Sequence, residues 1–408
     1  MSTDGHFDAV VTGGGPAGSA TALLLAQRGW RVAVVEKSAF PRAKVCGEFM
    51  SATNLPLLER LGIGEAWRAE AGPPVRRVGF FSDDTIVDAP MPGASRGAFG
   101  RALGRDVLDG LLLERARASG AEVFQPWRAV GIERRGDVKA VLIDGSEGSG
   151  ELTAPVIVAA HGSWEAGKLP SQLEKTNRPG DLLGFKAHFS GASLPADLMP
   201  LIAFPGGYGG MVWSDRGRLS LSCCIRRDAL TKLRAGYGNV GAAEALHRHL
   251  LESVRGVREA IGNATLDGRW LAAGPIRPGI RSAYEDDIFR VGNIAGESHP
   301  IIAEGITMAI QSGWLLASAL TRVQPGERAA HARAAAEYAA SWRQLFGLRL
   351  RAAALFASIA LSPIGRAGMR VVVRASPRLL TIGAGFSGKT KTLQESHTTL
   401  DRIGKASG

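Results

Sequence analysis

The chain begins with two short apolar runs separated by a segment of small residues in helical spacing. Residues 7–12 form an apolar run that stops at Gly13, residues 17–27 follow in helical spacing, and residues 31–36 form a second apolar run. A helix between two continuous apolar runs is typical of a β-α-β unit, because its parallel strands are buried on both faces. The pattern therefore predicts a parallel sheet at the start of the chain.

Further along, apolar runs alternate with turn residues. An alternating segment at 75–87 predicts a strand, and residues 106–119 predict a helix. Short runs bounded by Gly, Asp and Pro predict a β-meander, at residues 121–124, 129–133, 138–143 and 155–160.

A second block of strands follows, and we interpret it as an antiparallel sheet that binds the substrate. Its predicted strands are residues 185–189, 201–204, 210–213 and 219–224. After it come a helix at 242–262, a strand at 270–273, a buried strand at 288–293 and a helix at 304–320. The last strand and helix return to the first lobe, so we predict an α/β fold in which two domains are interleaved. The remaining residues, 331–408, are predicted to be helical.

Charge changes this picture only at the C-terminal end. The formal net charge is +11, and residues 341–408 contain eleven Lys or Arg against Glu395 and Asp401. This basic region is rich in Leu, Ile and Ala and lacks interleaved aromatics, so we do not expect nucleic-acid binding. It could lie on an anionic membrane surface or pack on the substrate lobe. The longest uncharged run of this C-terminal region, 352–365, is too short to span a bilayer.

The three cysteines and the N-terminus bear on location. Cys46, Cys223 and Cys224 form neither a disulfide framework nor a zinc-site spacing, so we predict no metal. The N-terminal residues lack the basic and apolar regions of a signal peptide. We therefore expect a cytoplasmic protein, with peripheral membrane contact left open.

A glycine motif sits between the first strand and the first helix. Gly13, Gly15 and Gly18 match G-x-G-x-x-G, in which the glycines allow a tight turn, close approach of a pyrophosphate and close helix–sheet packing. The helix N-terminus offers N–H groups and partial positive charge to phosphates. Glu36, at the end of the second strand, is placed to accept from ribose hydroxyls. This unit predicts a dinucleotide site but does not distinguish FAD from NAD.

A second motif carries a family resemblance. The segment from Phe289 through Gly292-Asn293 to His299-Pro300 precedes Glu304-Gly305-Ile306 at the start of a long helix. It resembles the FAD-dependent oxidoreductases that include geranylgeranyl reductases, flavin-dependent halogenases and single-component aromatic hydroxylases. The resemblance implies FAD as cofactor, with the strand-end residue on the ribitol and the helix N-terminus near the flavin ring.

Two other segments support the resemblance. Residues 44–51, which include Cys46-Gly47-Glu48, resemble the Cys-Gly-Glu segment of the reductase branch, and Arg105 with Asp109 resembles the Arg-x-x-x-Asp whose arginine contacts FAD phosphates. The motifs and the resemblance together predict these cofactor-binding residues: Gly13, Gly15, Pro16, Ala17, Gly18, Glu36, Lys37, Lys44, Gly47, Arg105, Val130, Asn293, Gly305 and Ile306.

The implied domain organisation is a Rossmann-like FAD-binding domain interleaved with an antiparallel-sheet substrate domain, plus C-terminal helices. Residues 1–75, 100–165 and 281–330 are predicted to form the first domain, residues 76–99 and 166–280 the second, and residues 331–408 the helical region.

The sequence departs from the family in three respects. Asn293 replaces an aspartate of the strand-end motif, and His161-Gly162 stands where hydroxylases have an Asp-Gly that helps bind FAD and the nicotinamide donor. There is no Trp-x-Trp of the halogenases, and Lys186 lies in an alternating strand where we expect it to be exposed. Halogenation is therefore a minor alternative.

Two residues are candidates for proton transfer near the flavin. The resemblance brings His299 and Glu48 close to the ring, and both residue types titrate. His299 could instead cap the following helix, and Glu48 could pair with Lys44 or Arg42. Cys46 lacks a nearby second cysteine for redox chemistry, and Cys223-Cys224 fits a core strand.

These observations predict an FAD-dependent monooxygenase that hydroxylates a hydrophobic or aromatic small molecule. Reduction of prenyl double bonds is the main alternative, and a flavin-binding membrane-surface scaffold is the non-enzymatic one. NADPH or NADH is the expected electron donor, and an electron-donating reductase is the alternative source.

Overall fold

The computed structural model describes residues 5–93, 98–164, 167–174, 176–323 and 328–389. In chain order its strands are β1 (Gly5–His6), β2 (Ala9–Thr12), β3 (Val32–Val35), β4 (Phe49–Met50), β5 (Arg77–Ser82), β6 (Thr85–Pro90), β7 (Arg101–Ala102), β8 (Glu122–Phe124), β9 (Trp127–Arg135), β10 (Val138–Gly145), β11 (Gly148–Ala154), β12 (Val156–Ala159), β13 (Leu182–Ser190), β14 (Leu198–Phe204), β15 (Gly207–Trp213), β16 (Leu219–Arg226), β17 (Thr265–Ile276), β18 (Gly279–Ile280), β19 (Tyr284–Glu285), β20 (Ile288–Arg290) and β21 (Gly296–Glu297). Its helices are α1 (Pro16–Ala26), α2 (Leu55–Arg60), α3 (Gly64–Glu70), α4 (Arg105–Ala118), α5 (Arg227–Gly236), α6 (Ala242–Ser253), α7 (Arg255–Ile261), α8 (Gly305–Leu320), α9 (Arg328–Leu361), α10 (Pro363–Ala375) and α11 (Arg378–Ala384).

A parallel sheet forms the centre of the first lobe. Its order is β19-β20-β12-β2-β3-β8, and all neighbouring strands run parallel except the edge pair β19–β20. Helices α1, α4 and α8 cover one face, where Leu23, Leu112 and Ile310 are fully buried. A second sheet, β1-β11-β10-β9, covers the other face and packs Phe7, Val141 and Leu152 against it. The strands are continuous apolar runs because both faces are buried.

This arrangement corrects the predicted meander. Strands β9, β10 and β11 do form an antiparallel meander, but β8 and β12, predicted to continue it, belong to the parallel sheet. Strand β11 was not predicted, because its Gly-rich sequence lacks the apolar alternation of a strand. The interleaved α/β fold itself is confirmed.

The second lobe is a seven-stranded sheet, called the substrate sheet after its predicted role, in the order β17-β13-β16-β15-β14-β5-β6. The single strand predicted at 75–87 is a hairpin of β5 and β6, because Asp83 adopts a left-handed turn conformation with φ 48°. Helices α6 and α7 cover one face and bury Leu246, Leu250 and Val257 against it. The opposite face meets the first lobe and the C-terminal helices.

The C-terminal region is helical, as predicted, as far as residue 389. Helix α9 begins on the first lobe, where Tyr338, Trp342 and Phe346 are buried in its core, and continues to the substrate sheet, where Ala357 and Ala360 pack near Tyr208. By length and composition alone, the segment Ala330–Leu361 could cross a bilayer, which the count of uncharged residues did not predict. Residues 390–408, also predicted to be helical, lie outside the described residues.

Candidate functional site

A cavity of about 1190 Å³ lies between the two lobes and the C-terminal helices. Its first half is built from the glycine turn, the carboxyl ends of β3 and β12, and the start of α8. Its second half is built from the substrate sheet and from helices α9, α10 and α11. Ligands of open α/β sheets bind at the carboxyl ends of the strands, so this is the expected position for a site.

The glycine turn is the tightest part of the first half. Gly13 has φ +114°, and a Cβ on it would lie 2.6 Å from the carbonyl oxygen of Ala160. A Cβ on Gly18 would collide with the Gly13 carbonyl and lie 2.9 Å from Cβ of Ala160. Gly15 is the N-cap residue of α1, and no side chain of its own caps the N–H groups of the helix terminus. The first turn of α1 is therefore open to a ligand.

Two arginines lie in front of this helix terminus. A Cβ on Gly15 would lie 3.7 Å from a guanidinium nitrogen of Arg105 and 3.8 Å from one of Arg42. Asp109 holds Arg105 through hydrogen bonds of 2.6 and 2.7 Å and lies 3.5 Å from Arg42. Burial of Arg105 opposes its charge, but the Asp109 carboxylate outweighs this and raises the pKa of the guanidinium. The turn thus carries two fixed positive charges, of which sequence analysis predicted only Arg105.

Glu36 lies behind the turn and is buried. It accepts from the backbone N–H groups of Gly14 and Ser38, each at 2.9 Å, and from Arg42 at 2.7 Å. Its position at the end of β3 is the predicted one, and it lines the cavity. Arg42 was assigned at the sequence level only as a partner for Glu48, whereas the structure places it on Glu36.

The second motif forms a polar network around Glu297. Asn293 Nδ2 donates to Oε1 of Glu297 at 3.0 Å, and Trp164 Nε1 donates to the same oxygen at 3.1 Å. Ser163 donates to Oε2 at 2.9 Å, and Arg281 lies 3.4 Å from it. Glu297 is buried and lines the cavity, yet it was not predicted, because its partners come from separate segments.

The first turn of α8 follows this network. Gly305 and Ile306 line the cavity, so the partial positive charge of the helix N-terminus faces it. His161 lines the same wall, where its Nε2 lies 2.8 Å from Oγ of Ser171 and its Nδ1 lies 3.0 Å from the Gly162 carbonyl oxygen.

Glu48 joins the two lobes through a buried charge cluster. Lys186 Nζ donates to Oε1 of Glu48, and His188 Nε2 donates to Oε2 at 2.9 Å. Burial favours the neutral carboxyl, but the hydrogen bond from His188 and the charge of Lys186 outweigh it and lower the pKa of Glu48 to about 2. Glu48 is therefore a fixed anion at neutral pH. Neither Lys44 nor Arg42 is its partner in this cluster.

The expectation of an exposed Lys186 is wrong. Its side chain is 2% exposed, because β13 is a central strand whose two faces are both covered. Phe185, Ala187 and Phe189 point to α6 and α7, so Lys186 and His188 share the opposite face, toward the first lobe. Alternation along a strand therefore separated its two faces correctly but did not show which of them meets water.

His299 lies at the edge of the site. Its side chain does not cap the short helix that follows, and its Nδ1 lies 3.2 Å from the Tyr208 hydroxyl. Burial lowers the pKa of His299 to about 4, so the imidazole is neutral at pH 7. Tyr208 lines the cavity, and burial raises its pKa well above its usual value.

Most of the predicted residues come together in one place. Of the cofactor-binding and catalytic candidates, all except Gly18 and His299 line the cavity: Gly13, Gly15, Pro16, Ala17, Glu36, Lys37, Lys44, Gly47, Glu48, Arg105, Val130, Asn293, Gly305 and Ile306. Gly18 lies inside α1, and His299 lies behind Tyr208.

The second half of the cavity has hydrocarbon walls. The substrate sheet contributes Met199, Leu201 and Val212, and the C-terminal helices contribute Phe356, Ile359, Met369 and Leu380. The walls of small-molecule sites are commonly apolar, with a few polar groups that fix orientation. Here the polar groups belong to the first half.

Comparisons with known proteins match the chain over most of its length. Residues 6–341 match a family model described as an FAD binding domain. The menaquinone reductase of Mycobacterium tuberculosis is 35% identical over 152 residues, which cover 36% of this chain and only 36% of that protein. Digeranylgeranylglycerophospholipid reductase 2 of Methanopyrus kandleri is 27% identical over 319 residues, or 76% of this chain and 75% of the relative.

Among solved structures, the myxobacterial chondrochloren halogenase CndH has a TM-score of 0.76 at 21% identity, and the match covers 98% of this chain and 96% of that one. At this identity the likeness shows that the fold is shared.

Proposed function

Since the chain belongs to the FAD binding domain family and is an FAD-dependent oxidoreductase, we propose that it reduces carbon–carbon double bonds of a hydrophobic isoprenoid. The observation that carries this proposal is the hydrocarbon-lined half of the cavity, which continues directly from the glycine turn. Two of the relatives, a menaquinone reductase and a digeranylgeranylglycerophospholipid reductase, support reduction over hydroxylation.

The residues of the first half fit FAD. Gly15 and the first turn of α1 would face its pyrophosphate, with Arg42 and Arg105 on either side. Glu36 would accept from the ribose, and Asn293 would donate to or accept from the ribitol without adding charge. Bound FAD supplies two-electron redox chemistry. The remaining predicted contacts line the same cavity but do not by themselves select FAD.

Reduction of a double bond also needs a proton, and the chain offers one. The Tyr208 hydroxyl lies in the cavity and stays protonated at neutral pH, because burial raises its pKa. We assign it as the proton donor, with His299 as the group that orients it. Glu48 does not serve, since its low pKa keeps it ionised.

Electrons would come from NADPH or NADH, or from a partner reductase. Both ring nitrogens of His161 contact other groups, the Ser171 hydroxyl and the Gly162 carbonyl oxygen. His161 therefore does not replace the carboxylate of the Asp-Gly motif. Bleaching of the flavin absorbance by NADPH under argon would identify a direct nicotinamide donor. Bleaching only after addition of a ferredoxin or flavodoxin reductase system would identify a partner.

The test is anaerobic turnover. The protein with FAD reduced by dithionite is mixed under argon with geranylgeraniol, and the product is analysed by mass spectrometry. We expect a product with two added hydrogens for each reduced double bond. No product under argon, together with a product that contains ¹⁸O when ¹⁸O₂ is admitted, would overturn the proposal.

A matched pair of variants ties turnover to the cavity. Leu380 lines the apolar half from α11, whereas Leu266 is exposed on β17. We expect Leu380→Trp to bind FAD normally and to lose turnover, and Leu266→Trp to retain both.

Hydroxylation of an aromatic molecule is the second candidate. Trp164 and Tyr208 both line the cavity and belong to one hydrophobic cluster, and such aromatic walls would suit a flat ring. Halogenation is disfavoured, because Lys186 is held by Glu48 in a buried ion pair. The non-enzymatic scaffold is not retained, because the chain is an oxidoreductase.

A further inference from the structure

Exposed hydrophobic side chains are concentrated in the C-terminal helices. Of the ten large hydrophobic side chains exposed among the described residues, eight lie on α9, α10, α11 or the turn after α11. Ile364, Val371 and Phe386 are 86%, 69% and 71% exposed. Exposed apolar side chains that are grouped in one region mark an interaction site, whereas single scattered ones do not.

The exposed residues follow helical spacing. Ile364 and Val371 lie on one side of α10, and Leu379, Ile382 and Phe386 recur at i, i+3 and i+7 along α11 and its extension. The inner sides of the same helices are also apolar and face the cavity or the substrate sheet. These helices are therefore apolar toward the protein and apolar toward the outside.

The same surface is strongly basic. No Asp or Glu occurs from Tyr338 to Gln394. Arg351, Arg374 and Arg378 are exposed, and no described carboxylate pairs with them. A second copy of the chain docked on this surface by two-fold symmetry would bring the arginines of both copies together, so its charge opposes self-association. An anionic phospholipid surface complements it.

The cavity opens on this surface. Val372 and Leu379 both line the cavity, and they are also 51% and 40% exposed. The opening therefore lies between α10 and α11, among the exposed apolar side chains. A hydrophobic molecule that leaves a bilayer at this point would enter the cavity without crossing water.

We propose that the outer surface of α9, α10 and α11 is a membrane-docking face that binds anionic phospholipid bilayers and places the cavity opening against the acyl chains. Docking is independent of the reaction that the enzyme catalyses. The entry of a membrane-resident substrate through this opening rests on the proposed function.

The test uses the FAD-loaded protein and vesicle flotation. Vesicles of phosphatidylcholine alone are compared with an equimolar mixture of phosphatidylcholine and phosphatidylglycerol. The variant Ile364→Gln/Val371→Gln/Phe386→Gln removes the apolar contacts, and Leu266→Gln/Ile280→Gln changes two exposed hydrophobics outside the face. Equal flavin-to-protein absorbance ratios establish that every variant is folded.

We expect the wild-type protein to float with the mixed vesicles and to bind pure phosphatidylcholine more weakly. The triple variant should lose roughly tenfold to a hundredfold in partitioning, since each apolar side chain inserts only partly. Arg374→Gln/Arg378→Gln should lose about tenfold, and only on the anionic vesicles. The control should stay within about twofold of wild type.

Three outcomes would overturn the proposal. They are wild-type protein that does not float with anionic vesicles, equal losses in the triple variant and its control, and a wild-type dimer in sedimentation that the triple variant converts to monomer. Reduction of geraniol, which is short enough to dissolve, reports on the proposed function separately. Flotation without geraniol reduction would leave docking intact and remove the proposed reaction.

Discussion

Replacing Lys186 by methionine should destabilise the protein far more than breaking an ion pair on its surface. The substitution keeps most of the side-chain volume but removes the ammonium from the cluster with Glu48 and His188. Glu48 is 1% exposed, so its carboxylate would remain buried with His188 as its remaining partner in the cluster. Breaking a buried ion pair by removing one partner typically costs about 3–5 kcal/mol.

The pKa of Glu48 gives a second measure of this energy. It is lowered from 4.5 to about 2, and at about 1.4 kcal/mol per pH unit the difference corresponds to about 3 kcal/mol. Because the folded state has the lower pKa, this contribution is fully present above pH 4.5 and is lost as the pH falls toward 2. Acid should therefore weaken the wild-type protein over this interval, and Glu48→Gln should lack this component.

Urea unfolding followed by far-ultraviolet circular dichroism at pH 7 measures the effect. Arg68→Met is the matched control, because Arg68 and Glu59 form a solvent-exposed pair whose loss should change the stability little. The double variant Glu48→Gln/Lys186→Met should recover part of the loss, since no buried charge is left unpaired. If Lys186→Met and Arg68→Met destabilise equally, the argument for a buried charge cluster is wrong.

Three further predictions concern the cavity. Gly18→Ala should abolish flavin binding, measured by absorbance at the flavin band, because its Cβ would collide with the backbone of the same turn; Gly110→Ala, with open space around it, should keep the flavin. A pH–rate profile should show no ionisation of His299 between pH 6 and 8, because burial lowers its pKa to about 4; a step near pH 6.5 that disappears in His299→Gln would contradict this. Iodoacetamide at pH 8 should alkylate Cys46 before Cys224, since burial raises the pKa of the Cys224 thiol to about 12; peptide mapping showing the reverse order would refute it.

The first half of the cavity was largely predictable from the sequence. The glycine turn, Glu36 and the Gly292-Asn293 motif each lie where a strand ends, and parallel strands bring their carboxyl ends to one edge of a sheet. The order of strands and motifs along the chain therefore predicts most of the geometry of this half of the cavity. Arg42 was not predicted as a site residue, because it lies in a loop without hydrophobic periodicity. Its position in the site depends on its contacts with Glu36 and Asp109.

The second half of the cavity depends on contacts that no local pattern records. Lys186 and Glu48 are far apart in sequence, and the fate of Lys186 depends on which lobe covers its face of β13. Alternation with a period of two assigns a residue to one face of a sheet, but tertiary packing decides whether that face is exposed to solvent. The C-terminal helices pose the same problem, because a helix that is apolar on both sides has no predictable inner face.

The backbone at Glu48 shows why this cluster matters for the site. Glu48 has φ +62°, a left-handed conformation that costs a non-glycine residue about 1–3 kcal/mol unless its surroundings hold it. The ion pair with Lys186 and the hydrogen bond from His188 stabilise this conformation, and both residues belong to the opposite lobe. Glu48 follows Cys46 and Gly47, which line the half of the cavity that fits FAD, while Lys186 lies on β13 of the substrate sheet, which forms one wall of the apolar half. The Glu48 carboxylate therefore fixes the position of one half of the cavity relative to the other. We expect Glu48→Gln to alter substrate turnover even where FAD remains bound.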